Sequence, residues 1–368
     1  MMQRNMYMQN KKKRQISFVE AIREGITQSL QKDKKLFLMG EGVDDPASMW
    51  GTIKGISKDF GEKRVLEMPV AENGLIGAAI GSSIAGSKVL VNLQRVEFSL
   101  YAFEQIVNNA AKSFYISRGK HSVPIVIRLV VGRGWGQGPE HAQSMENIFS
   151  SVPGLKVVIP TFPNEAKELM INSLFDQNPV IFIEHRWLHY SRGEVDKKFK
   201  ISKLNSIRKI NSGKDITIVS NSINTLVVKR VIDILKKFKI GVDLLNLVNP
   251  NPLDLSQVFK SVKKTKNILS VDLGHKTLGL GGEIISQIVE NGIKLKSTPM
   301  RIGLPFHPVP SSIGMIKGYY PDGKAVLLKL KKILKIGDDK FSLIMNAYNK
   351  DLPKIPIDVP DPYFKGPF

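Results

Sequence analysis

Runs of consecutive apolar residues, each too short to cross a membrane and each followed by a helical pattern, recur along this chain and restrict its fold more than any other feature. LFLM, VLEMP, KVLVNL, VPIVIRLV, LKVVIP and PVIFIE alternate with helical stretches at 18–30, 74–85, SLYAFEQIVNNAAKSFY, AQSMENIFSSV and NEAKELMINSLF. A strand that is apolar at successive positions has no face to give to water, so it belongs in a parallel sheet covered by helices on both sides. A second alternation follows: DITIVS, NTLVVKRVIDILKKF, VDLLNL, DLSQVFKSV, NILSVD, GGEIISQIVENG and MRIGL. The expected architecture is α/β, a doubly wound and mostly parallel sheet followed by a smaller α/β domain. The expected divisions are a basic tail over 1–15, a first domain over 16–189, a lysine-rich linker over 190–213, a second domain over 214–340 and a proline-rich extended tail over 341–368.

Composition narrows the chemistry. With 368 residues, 42% of them hydrophobic, the chain can fill two cores. The absence of cysteine excludes disulfides, thiolate catalysis and cysteine-ligated metal sites. The opening MMQRNMYMQNKKKRQ lacks the apolar segment of a secretory signal, and no apolar run has membrane-spanning length, so the expected location is cytoplasmic with no membrane partner. The net charge of +21 is spread through amphipathic helices such as VVKRVIDILKKF rather than interleaved with aromatics. That distribution is a solvated surface suited to an acidic protein partner, not a nucleic-acid interface.

Three polar residues stand where strands give way to helices or loops. Glu72 lies in VLEMPVAENGLIGAAIGSSIAG, residues 65–86, between a short strand and a helix whose Gly74, Ala78, Gly81 and Ala85 form a small-residue face. Its carboxylate is either a helix cap or a group held for chemistry. Glu41 in LFLMGEGVDD follows another strand, and His141 sits at the end of the loop GRGWGQGPEHAQS. The glycines of that loop lack the spacing of a dinucleotide fingerprint. If their strands are neighbours, the three residues meet at one edge of the sheet, where open α/β folds bind ligands. His185, His189, His121, His275 and His307 read as structural or surface residues.

Taken in order, AIREGI, LFLMGE, FGEKRVLEMPVAENGLIGAAIG, FEQIVNNAAKSFY, VPIVIR, PGLKVVIP, NPVIFIE, DITIVS and LGLGGEI resemble the β subunit of the thiamine-diphosphate-dependent 2-oxo acid dehydrogenase E1 component, within the transketolase-like family. The resemblance implies a pyrimidine-binding domain and a transketolase-type C-terminal domain. It implies that Glu72 binds the aminopyrimidine N1′ of the cofactor, that Phe98 packs near that ring, and that Glu41 matches the first carboxylate of the family's GE(D/E)V turn. His141 in HAQS matches the histidine of an HSQ motif that contacts substrate-derived groups. Some members hold potassium through carbonyls that map to Ile125, Ser173, Leu174, Asp176 and Asn178. No GDG with a downstream Asn is present, so Mg²⁺ and the diphosphate are expected on a separate α-type chain, in an α2β2 assembly with the small-residue helix at an interface.

The chain also departs from the pattern. Arg95 stands where the family is aromatic or small, Glu140 precedes His141, and Ala142 replaces a serine. Arg95 either pairs with Glu97 or Glu140 or meets a carboxylate or phosphate of the substrate. Val248 replaces an arginine in the second domain, and the charge of +21 is poorly matched to the basic domain of a lipoyl acyltransferase. The implied reaction is decarboxylation of a 2-oxo acid with acyl transfer to lipoyl or another acceptor. The alternatives are a split transketolase-like or acyloin-forming carboligase subunit and a non-catalytic assembly subunit.

Overall fold

The structure, a computed structural model, describes residues 14–354 apart from 47, 49, 134 and 135. Most of the expected basic tail, and the expected proline-rich tail from 355, lie outside these residues. Strand β1 (Gln15–Ser17) leads into α1 (Phe18–Lys32) through a capping box. Ser17 Oγ accepts the Glu20 N–H at 3.2 Å while the Glu20 carboxylate accepts the Ser17 N–H at 2.7 Å, pairing two amides that the first helical turn leaves open.

Six strands form the expected parallel sheet: β2 (Leu36–Gly40), β3 (Val65–Glu67), β4 (Lys88–Asn92), β5 (Ile125–Val131), β6 (Lys156–Val158) and β7 (Val180–His185), in the order β3-β2-β4-β5-β7-β6. Their residues alternate between two cores, as a covered parallel sheet requires. Leu36, Leu38, Leu90, Val126 and Phe182 pack with α1 and α6 (Pro163–Leu174), while Val89, Val91, Ile125, Ile127, Ile181 and Ile183 pack on the other side with α3 (Glu72–Ile84). Short α2 (Ile56–Phe60) precedes β3. The segment expected as one helix from SLYAF to KSFY is broken into a 3-10 turn (Val96–Ala102), a π turn (Gln105–Ala110) and α4 (Ala111–Ile116). Only Glu146–Ser150 (α5) of the expected AQSMENIFSSV helix is helical.

The linker boundary needs correction. Within 190–213, β8 (Arg192–Glu194) pairs with β1, and β9 (Ile207–Asn211) pairs antiparallel with β11 (Val242–Leu247) at the edge of the second sheet. Cations in IRKIN mark an edge strand, which charged side chains protect from further pairing; they do not mark a linker. That sheet runs β13-β12-β10-β11-β9, with β10 (Ile216–Ser220), β12 (Ile268–His275) and β13 (Met300–Leu304), and is otherwise parallel. Helices α7 (Ser222–Lys237), α8 (Ser256–Thr265), α9 (Leu280–Glu290) and α10 (Gly323–Leu334) cover it. The division at residue 340 is also corrected. Asp338–Asp351 is a helix, α11, that buries Phe341, Ile344 and Tyr348 in the second core. Its apolar residues recur at helical spacing, and the prolines begin only at Pro353.

The two domains are stitched by backbone. Val157 N–H donates to the Asn251 carbonyl at 2.9 Å and Ile159 N–H to the Val248 carbonyl at 2.8 Å. Val248 itself is fully buried in a core it shares with the first domain. No helix among the described residues is long and apolar enough to cross a membrane.

Candidate active site

Strand order reverses between β2 and β4: from β2 the chain continues outward to β3, from β4 it continues the other way to β5. Loops leaving the carboxyl ends on either side of such a reversal diverge and open a crevice. Glu41 leaves β2 there. Gly40 permits this because a Cβ on it would lie 2.3 Å from the Asn92 carbonyl oxygen, at a φ of +151°. The Glu41 carbonyl is held by Asn92 Nδ2 at 3.2 Å and Gln94 Nε2 at 3.4 Å. Glu67, at the end of β3, accepts the N–H groups of Gly42 and Val43 at 2.8 and 2.7 Å.

Glu72 opens α3 and is 8% exposed. The capping alternative fails here, because the cap position is Ala71 and no side chain caps the helix. Glu41 is equally buried, and its carboxyl is pushed up to about 7 by burial first and then by the neighbouring carboxylates of Glu72 and Glu67. Two acidic groups expected from separate strand ends therefore lie close enough to feel each other. Asn73, next to Glu72, donates to the Tyr101 carbonyl at 3.5 Å, which ties the start of α3 to the 3-10 turn carrying Phe98.

Phe98 meets His141 edge to face, with ring centroids 5.8 Å apart. Arg95 Nη1 donates to the His141 carbonyl at 3.0 Å, and the Gln143 N–H donates to Glu97 Oε1 at 2.6 Å. The His141–Gln143 backbone is thus clamped by two side chains of the segment that follows β4. Burial pushes the Glu97 carboxyl up to about 7, against the opposing pull of the Gln143 N–H. The second domain supports the same loop: Ala142 packs with Leu304, Val309 and Tyr319, and the Gly136 N–H donates to the Ser311 carbonyl at 3.1 Å. Glu140 is exposed.

Glu41, Glu72, Phe98, Arg95 and His141 are brought to one edge of the sheet. The carbonyls considered for potassium lie at the opposite, amino-terminal edge, where Ile125 starts β5 and residues 173–178 turn from α6 into β7. There the Ser173 carbonyl accepts the Asp176 N–H at 3.2 Å, the Asp176 carboxylate accepts the Asn178 N–H at 2.9 Å, and Lys156 pairs with Asp176. No cluster of three or more His, Asp or Glu able to hold a metal occurs among the described residues.

Sequence reasoning missed Glu67, Arg133 and Arg186, and weighed Glu97 only as a partner of Arg95. Their shared signal was available: each charged residue stands at a strand end or within five residues beyond one. His185 and His189 are structural, fully buried, with protonation disfavoured first by burial. His189 Nε2 lies 3.4 Å from Glu184, which pairs with Arg128, and Arg128 in turn donates to Asn92.

A flat nitrogen heterocycle fits this site. Glu41 Oε1 is buried without a hydrogen-bond partner, a second carboxylate is adjacent, and an aromatic ring closes the histidine side. Those are the groups an aminopyrimidine would use.

Residues 14–190 match the family description "Transketolase, pyrimidine binding domain" and residues 206–326 match "Transketolase, C-terminal domain". Among curated relatives, the pyruvate dehydrogenase E1 component subunit beta of Gracilaria tenuistipitata var. liui is 34% identical over 287 residues, covering 78% of this chain and 88% of that one. The acetoin:2,6-dichlorophenolindophenol oxidoreductase subunit beta of Cupriavidus necator is 31% identical over 337 residues, covering 88% and 99%. A solved structure titled as a split gene transketolase, an inactive beta4 tetramer, superposes with a TM-score of 0.67 over 87% of this chain and 98% of its own, at 18% identity, and so speaks for the fold alone. With the two-domain match, the relatives and the switch-point site in agreement, the chain belongs to the β-subunit family of thiamine-diphosphate-dependent 2-oxo acid dehydrogenase E1 components.

Proposed function

We propose that this chain supplies the pyrimidine-binding half of a split active site that decarboxylates a 2-oxo acid and passes the acyl unit to an acceptor, lipoyl being the family default. The observation that carries this reading is the placing of two buried carboxyls, Glu41 and Glu72, at the reversal of strand order, near enough for one to raise the other and on the edge that also holds His141. When bound, thiamine diphosphate supplies a carbon nucleophile and an electron sink that no protein side chain offers. Glu72 is assigned to hold a proton against N1′ of the aminopyrimidine. Glu41 lines the same pocket, and burial, with two nearby carboxylates adding, raises its carboxyl to about 7, so that it can hold a proton near neutral pH. Phe98 packs the ring wall, and His141 holds or moves a proton beside the substrate.

An α-type partner is assigned Mg²⁺ and the diphosphate. Support comes from uncovered apolar surface: Gly74, Ala78 and Gly81 of α3 and Ala85 at its C-cap are exposed, as are Val70, Tyr101, Phe114, Tyr115 and Ile116. An α2β2 assembly in the cytoplasm accounts for that face, and the carbonyls at the α6–β7 turn, with that of Ile125, are assigned to potassium. The curated relatives favour this reading over the carboligase and scaffold alternatives.

The test is titration calorimetry of thiamine diphosphate with Mg²⁺, on the chain alone and on the complex co-purified with its α partner. Binding is expected only in the complex. Glu72→Gln is expected to lower 2-oxo acid decarboxylation by about 100-fold or more, the scale of a lost proton-transfer group. Absence of binding in both preparations would leave a scaffold subunit as the better account.

A further inference from the structure

A cleft of about 400 Å³ lies between α6 and the chain that runs from Asp196 into β9. Five cations, Lys167, Lys198, Lys200, Lys203 and Arg208, face two carboxylates, Glu168 and Asp196, along its walls. The lysine-rich stretch of the sequence is the source of this charge, since residues 190–213 carry seven Lys and Arg against two Asp and Glu.

Two of the five cations hold the cleft together. Lys167 is 3% exposed and donates to Glu24 Oε1 at 2.7 Å, to the Asp196 carbonyl at 2.6 Å and to the Lys198 carbonyl at 3.3 Å. Arg208 donates to Glu168 Oε1 at 2.6 Å, and Ser202 Oγ donates to the same oxygen at 3.0 Å. The Ser202 N–H donates to Asn172 Oδ1 at 2.7 Å. The stretch from 196 to 208 is thus pinned to α6 at its start, middle and end. Exposure alternates along it: Lys198, Lys200, Lys203 and Asn205 are exposed, while Phe199, Ser202 and Leu204 are half-buried. Phe199 meets Phe175 edge to face, with centroids 5.5 Å apart, and Leu204 packs on the core beneath α1 and α6. Among the described residues, no ion pair engages the ammonium groups of Lys198, Lys200 or Lys203. They act on carboxylates by charge alone, Lys198 and Lys200 on the exposed Asp196 and Lys203 on the exposed Asp254.

Ammonium groups set along a pinned backbone, rather than around one point, match an extended chain of carboxylates. Alternate side chains of such a chain stand about 6.6 Å apart, the repeat expected between Lys198 and Lys200, and an ammonium meets a carboxylate without the fixed geometry that a guanidinium demands. A nucleic acid would want exposed aromatic rings among the cations, and the one ring in this stretch is turned inward. We propose that this cleft receives an acidic, extended peptide segment of a partner protein, its carboxylates pairing with Lys198, Lys200 and Lys203. Charge complementarity with a chain of net charge +21 selects that partner. Helix α6 covers the face of the first sheet opposite α3, so this surface lies apart from the one assigned to the α-type chain, and both can be filled at once. The inference goes beyond the reaction assigned above and does not depend on it.

The probe is a fluorescein-labelled peptide of alternating Glu and Ser, titrated by fluorescence anisotropy with the co-purified complex and with the chain alone. It is expected to bind both equally, about tenfold or more tightly than the matching Gln and Ser peptide, and to weaken as salt is added. Combining Lys198→Gln, Lys200→Gln and Lys203→Gln is expected to weaken binding by about tenfold. Combining Lys324→Gln, Lys332→Gln and Lys340→Gln, at exposed positions of α10 and α11, is expected to change it by less than about twofold. Equal loss in the two triple variants overturns the cleft and leaves only general attraction to a basic chain. Binding by the chain alone that the complex excludes also overturns it, because the peptide would then occupy the α interface. An oligothymidylate bound more tightly than the peptide, and lost with the same three lysines, replaces the acidic peptide with nucleic acid. No binding of the peptide at low salt overturns the proposal outright, and none of these readouts requires turnover of a 2-oxo acid.

Discussion

Gly40 is the residue on which the acidic side of the site depends. Its backbone runs so close to Asn92 that a methyl group has nowhere to go, and the contact is with backbone, which cannot rotate away. Gly40→Ala is expected to cost about 1–3 kcal/mol, the usual penalty for overpacking, read as a lower urea midpoint at unchanged slope. Glu97 acts through its neighbour by accepting the Gln143 N–H, so it is a positioning residue. Glu97→Ala leaves that N–H without its acceptor and is expected to lower kcat by about tenfold. Glu97→Gln, whose amide oxygen still accepts, is expected to restore most of it, and equal loss in both variants would instead point to a role for the acid itself. Glu41, Glu72 and His141 were legible in the sequence because a polar residue at the end of an apolar strand is a local signal. Glu97 carried the same strand-end signal, but its role did not show, since that role depends on a partner 46 positions away.

Two elements decide the stability of the second half of the molecule. Strand β12 meets α5 where Oε1 of the fully buried Glu146 lies 2.6 Å from where a Cβ on Gly274 would be. Burial, with the nearby Asp272 adding, pushes the Glu146 carboxyl up to about 7. The folded chain then keeps a proton that the unfolded chain releases above about 4.5, so stability falls as pH rises from about 4.5 to 7 and levels off above that. Glu146→Gln is expected to flatten this dependence by on the order of 3 kcal/mol, checked by denaturant unfolding at pH 5 and pH 8. Helix α11 packs Phe341, Ile344 and Tyr348 against the core built on β10, β11 and β12. Truncation after Gly337 is expected to unfold the second sheet at ambient temperature, seen as loss of protease resistance after residue 205, because a buried aromatic alone contributes about 3–5 kcal/mol.

At the scale of the whole molecule, charge and apolar surface fall in different places. Residues 191–368 carry 31 Lys and Arg against 15 Asp and Glu, while residues 1–190 carry 23 against 18. The second domain holds most of the excess, and the uncovered apolar face belongs to the first. Association through that face is therefore expected to be insensitive to salt, and Tyr115→Asp, at a site 87% exposed, is expected to shift the complex with an α partner toward free chains in sedimentation while leaving the fold intact. The sequence by itself determined the class of fold and the placing of three polar residues at the carboxyl edge of the first sheet, because strand burial and strand-to-helix turns are written in neighbouring residues. The tertiary structure alone decided that β3, β2, β4, β5 and β7 lie side by side, and hence that Glu72 acts on Glu41 and that Arg95 and Glu97 clamp the His141 loop. Periodicity tells a strand which face to bury, but its neighbour is chosen by contacts between residues tens of positions apart, and only the folded chain brings those together.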